Sequence, residues 1–129
     1  MTLYEKIPLP NGLTLEIWDY SRQIAGDTIK VELVAQIAVA FHAHYFSNKD
    51  HYDKLVKTIG PQGCYEHRKV RTFVTNTQQE DVFQELLSSF KEGTLPYLSR
   101  EDFPRQFTRL KFRDIEQNWY KYESRDDEG

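Results

Sequence analysis

The run from Thr28 to Phe46 (TIKVELVAQIAVAFHAHYF) alternates along nearly all its length. Its odd positions, from Ile29 and Val31 through Phe41 and Tyr45, are all apolar or small. Its even positions, including Thr28, Lys30, Glu32, Gln36, His42 and His44, are mixed to polar. A period of two places these sets on opposite faces of a β-strand. So long a strand obliges the chain to build a sheet around it and to cover one face. The pattern predicts strand over 28–45, odd positions buried and even positions exposed, with a bulge near Ala35–Ala40.

The flanking segments supply partners for that strand. Leu3–Leu9 and Leu13–Tyr20 read as two strands joined by a tight turn at Asn11-Gly12, residues that tolerate positive φ. Ser21–Asp27 reads as a connection. After the long strand, Ser47-Asn48 sits where a helix N-cap should be, with Asp50 at capping-box spacing from Ser47, and Tyr52, Leu55, Val56 and Ile59 follow at helical spacing. Gly60-Pro61 ends that helix. Cys64–Asn76 reads as a further strand. Thr77 and Glu80 have capping-box spacing before the apolar stripe Val82, Phe83, Leu86, Leu87 and Phe90. Gly93 and Pro96 end it, and Ser99 with Asp102 opens a last helix that holds Pro104 in its first turn. Within that helix the apolar phase shifts between Leu110 and Phe112.

The expected fold class is therefore α+β: a mostly antiparallel sheet of about four strands, in the order β-β-β-α-β-α-α, with helices packed on one face. Residues 1–122 are expected to form a single domain. The odd face of the long strand is expected to meet Leu86, Leu87, Phe90, Phe107 and Leu110. Residues 123–129 (ESRDDEG) are expected to be a disordered acidic tail.

Composition narrows the function classes. Lysine and arginine number 17 against 20 acidic residues, a net charge of −3. That balance disfavours nucleic acid as a partner, because dedicated binders carry a basic excess. The single cysteine, Cys64, forbids an internal disulfide and fits a reducing compartment as a buried or half-buried structural residue. No apolar run is long enough to span a membrane, and the first residues do not read as a secretion signal. A cytoplasmic protein without membrane contact is the expectation. The glycines form no phosphate loop or dinucleotide fingerprint, and neither a G-x-S-x-G elbow nor an HExxH pair occurs. No cofactor is expected.

Three constellations stand out. His42-x-His44 would project both imidazoles from one strand face. A catalytic zinc needs three protein ligands, and His67 is the third candidate beside Asp50, His51 and Glu66. This supports an alternative reading as a metal-binding protein or metal-dependent hydrolase. The segment Tyr65–Phe73 interleaves cations with aromatics, and Arg68, Lys69 and Arg71 would serve an anionic ligand or nucleic acid. A second basic cluster runs from Arg100 through Arg105, Arg109 and Lys111 to Arg113. Finally, Trp18 and Tyr20 share one strand side, and Val34, Ala38 and Ala40 share one side of the long strand. If the hairpin register aligns them, they make an apolar patch suited to a protein contact. On balance the residues point to a non-enzymatic interaction or regulatory module. Its partner would be an unidentified protein or a second copy of the chain, forming a homodimer through Trp18, Tyr20, Val34 and Ala38.

Overall fold

The computed structural model describes residues 1–122. The expected tail, 123–129, lies outside the described residues. The protein is α+β, with an antiparallel sheet of five strands: β1 (Thr2–Pro8), β2 (Thr14–Asp19), β3 (Arg22–Ala25), β4 (Thr28–Ala40) and β5 (Gln62–Thr75). The principal helices are α1 (Lys49–Ile59), α2 (Gln79–Gly93), α3 (Leu95–Leu98) and α4 (Phe103–Gln117). No helix among the described residues is long and apolar enough to cross a membrane. Contacts divide the chain into two compact units. The first is Met1–Ile37 with Tyr65–Glu101; the second is Ala38–Cys64 with the chain from Asp102 on.

In the first unit, β1 pairs with β2, β2 with Leu33–Ile37 of β4, and β3 with Thr28–Lys30 of β4. The passage from β2 to β3 is pinned to β4 by the Tyr20 N–H donating to the Glu32 carbonyl at 2.9 Å. The Glu32 N–H donates in turn to Ser21 Oγ at 3.1 Å. The strand β3 appears where a connection was expected. All its residues are exposed, so it carries no alternation to read.

The first hairpin also differs from expectation. Its loop runs from residue 9 to 13, with the Leu9 N–H donating to the Leu13 carbonyl at 2.8 Å and Gly12 at φ 89°. Asn11 is drawn away from a two-residue turn because its side-chain amide donates to the carbonyls of Leu98 (2.8 Å) and Arg100 (2.9 Å). A bulge between Leu3 and Glu5 then changes the register of β1.

The odd residues of β4 are buried as expected: Val31, Leu33 and Ala35 at 0 % exposure and Ile37 at 1 %. Helix α2 covers this side. Its Phe83 meets Tyr4 edge-on at 5.0 Å, and its Phe90 lies 5.8 Å from His67. The β2–β4 ladder runs from Leu15/Ile37 to Asp19/Leu33 without a bulge. Two even residues depart from the pattern, because Glu32 and Val34 are buried as well.

In the second unit, β4 ends at Ala40, earlier than predicted. Phe41 N–H donates to the Pro61 carbonyl at 2.9 Å, and the chain then turns through a short 3-10 segment, Ala43–Tyr45. Gly60 caps α1 at φ 113°, as Gly60-Pro61 predicted. Within the expected pair Ser47-Asn48 the N-cap of α1 is Asn48: its Oδ1 accepts from the Asp50 N–H at 2.9 Å. Thr77 does not cap α2; it sits in a 3-10 turn, Asn76–Gln78, that leads into the helix. Helix α4 is continuous, with Pro104 in its first turn, and buries Phe103, Phe107 and Ile115. Leu110 does not join that core; it is 51 % exposed, because it points off the stripe that Phe107 and Ile115 define.

Candidate functional site

The face of the first unit's sheet opposite α2 carries no helix of that unit. Directly paired residues of adjacent strands share a face, so the registers define rows across it. One row is Leu3, Trp18 and Val34. The row beside it is Lys6, Glu16 and Gln36, joined to Glu66 of β5 by a Gln36 Nε2 bond of 3.1 Å to the carboxylate. Lys6 and Glu16 lie 3.8 Å apart, and Trp18 Nε1 donates to Glu16 Oε1 at 3.3 Å.

Arg68 organises the other side of the apolar row. Its guanidinium donates to Glu32 at 2.5 Å and to Glu66 at 3.0 Å, and it lies over the Tyr20 ring at 5.4 Å. Tyr20 in turn meets Trp18 edge-on at 6.5 Å. Lys30 reaches the second oxygen of Glu32 at 3.5 Å. The hydrogen bonds from Arg68 and Gln36 hold the Glu66 carboxyl below its ordinary range. The bonds to Glu66 and Glu32 push Arg68 up. Val34 is wholly buried on β4, whose neighbouring strands carry the large side chains of Trp18 and Arg68. A methyl-sized floor with an indole and a guanidinium beside it results.

The chain matches no protein-family model, no curated protein and no solved structure.

Of the residues expected at a protein interface, Trp18, Tyr20 and Val34 are brought together on this face. Val34 is its floor and not part of its surface. Ala38 is exposed and belongs to the second unit.

His42 and His44 do not project from one strand face as expected, since the strand has ended. They flank the start of the 3-10 turn with their rings stacked at 5.3 Å and 20°. His67 belongs to the first unit and faces Phe90. Among the described residues, no three His, Cys, Asp or Glu side chains group as a metal site would require.

The cations of β5 divide between the two faces by alternation. Arg68 lies on the helix-free side. Lys69 and Arg71 turn to α2, reaching Ser89 at 3.3 Å and Glu85 at 3.5 Å. Phe73 leaves this alternation. Its φ of 59° and 82 % exposure mark a break after which an even residue, Val74, is buried. Cys64 is exposed, not half-buried.

Sequence reasoning missed Leu3, Glu32 and Glu66. The signal was present as parity, since Trp18, Val34, Glu66 and Arg68 are all even-numbered and the strands are antiparallel. The longer loop and the bulge each displace the register by one residue, and together they move Leu3 from opposite Tyr20 to opposite Trp18 on the same face.

Proposed function

We propose that the chain is a non-enzymatic protein-interaction module, and that the helix-free face of its first unit docks a second copy of the chain. The observation that carries this reading is Leu3 and Trp18 over the buried Val34, bordered by ion pairs, on a sheet face that carries no helix of its own unit. Aromatic residues and arginine are the anchors of protein interfaces, and a surrounding polar border keeps water from them. The bordering charges alternate in sign, Lys6 against Glu16 and Arg68 against Glu66. A border that carries both signs can meet its own copy across a two-fold axis, where a cation of one copy can face a carboxylate of the other.

Sedimentation velocity over a range of protein concentrations tests this. A reversible dimer is expected, and Leu3→Glu, at an exposed position, should weaken it about tenfold or more without loss of fold. Trp18→Ala should act in the same direction. A monomer at every concentration, or a dimer indifferent to both substitutions, overturns the reading.

A further inference from the structure

The second unit contains a cavity of about 340 Å³ where Phe46, Ser47 and His51 face Arg109, Phe112 and Arg113 of α4. Its volume is at the lower end of the range for small-molecule sites. Three rings line it. His51 stacks on Phe112 at 4.6 Å and 21°, and Phe46 meets Phe112 edge-on at 5.6 Å and 72°. A wall of this kind favours a flat ring, which can stack or pack edge-on with little loss of freedom.

The cavity holds two guanidiniums and one carboxylate, and the carboxylate is bonded elsewhere. Arg109 and Arg113 are four residues apart on one helix and therefore share a face. Among the described residues neither makes an ion pair or hydrogen bond. Glu116, the acidic residue that lines the same cavity, is engaged by Lys54 at 3.3 Å. Two guanidiniums one turn apart repel each other. A compact anion between them relieves the repulsion and accepts paired, charge-assisted hydrogen bonds. Two arginines of the first unit differ in this respect, since Arg68 and Arg71 both meet carboxylates.

We infer that this cavity binds a small aromatic anion, its ring against Phe46, His51 and Phe112 and its carboxylate or phosphate head held by Arg109 and Arg113. The site is separate from the face assigned to self-association, so either reading stands without the other.

Titration by nuclear magnetic resonance and calorimetry tests it, with 2-naphthoate and 2-naphthyl phosphate as probes. Inorganic phosphate and the neutral 2-naphthalenemethanol serve as the ringless and uncharged controls. Saturable binding of at least one naphthyl anion is expected, with the ring signals of His51 and Phe112 shifting together. Which anion binds more tightly identifies the head group. Each control should bind at least about tenfold more weakly, since it lacks one half of the recognition. Arg109→Gln/Arg113→Gln should lose about tenfold or more in affinity while its melting temperature stays level or rises. Arg109→Lys/Arg113→Lys, which keeps the charge and loses the paired geometry, should fall between. Absence of saturable binding by both anions overturns the proposal. So does equal binding of the neutral alcohol, or an affinity unchanged in the glutamine variant.

Discussion

Arg68 shows how one side chain can order a surface. It touches two carboxylates and one aromatic ring, and one of those carboxylates, Glu32, belongs to a residue only 7 % exposed. Removing Arg68 leaves Glu32 with Lys30 alone, so Arg68→Ala should destabilise more than Glu66→Ala, whose carboxylate is accessible to water. A double-mutant cycle of Arg68→Ala with Glu32→Gln checks this. The paired change should cost less than the sum of the single ones. A different carboxylate, Asp114, also contributes to acid sensitivity. Asp114 accepts from the Tyr122 hydroxyl at 2.5 Å and from Asn118 Nδ2 at 2.8 Å, with Lys121 at 4.0 Å. The bond from Tyr122 above all lowers its pKa below the ordinary aspartate value. A carboxyl depressed in the folded state adds stability that is whole above its unfolded pKa. That stability disappears as pH falls through the folded one. Thermal melts from neutral to strongly acid pH should therefore decline less steeply for Asp114→Asn than for the wild type.

At the scale of elements, burial separates what alternation could foretell from what it could not. Leu33 and Ile37 are at 0 % and 1 % exposure on the side that α2 covers. Leu33→Ala or Ile37→Ala should cost about 2–5 kcal/mol in chemical denaturation, the range for a large side chain removed from a packed core. A loss under about 1 kcal/mol would place them at a surface. The strand β4, the helix starts near Lys49 and Phe103 and the stop at Gly60 were legible, because period and backbone chemistry are local. The end of β4 was not. Phe41, Ala43 and Tyr45 continue the apolar pattern, yet the Phe41 N–H pairs with Pro61, far along the chain, and the backbone then turns. The expected projection of His42 and His44 from one strand face was lost with it, since it depended on strand geometry. The capping boxes expected of Ser47 and Thr77 did not form, since Asn48 takes the cap of α1 and the Thr77 hydroxyl bonds that of Thr75. The rows of the helix-free face required the β1–β2 register, and Asn11 settles that register through bonds to the distant Leu98 and Arg100.

For the whole molecule, neither compact unit is a continuous piece of sequence. The division falls within β4, after Ile37, and within β5, before Tyr65. The core of the second unit takes Val39, Phe41 and Leu55 from one stretch and Phe103, Phe107 and Ile115 from another. A chain ending at residue 101 retains every segment of the first unit and only half of the second. In that fragment, amide exchange should remain slow in β2 and become fast in α1, whose Leu55 has lost the α4 side chains of its unit's core. Equal protection of α1 in the fragment and the full chain would show that the first stretch of the second unit folds unaided. The same interleaving has a consequence during synthesis. Residues 1–37 emerge from the ribosome well before residues 65–101, and at about 5–20 residues per second the wait lasts seconds. Through that interval the most apolar strand of the protein has its hairpin partners and no helix over it. The nascent chain is then at its most exposed to chaperones, and to neighbouring copies on the same messenger.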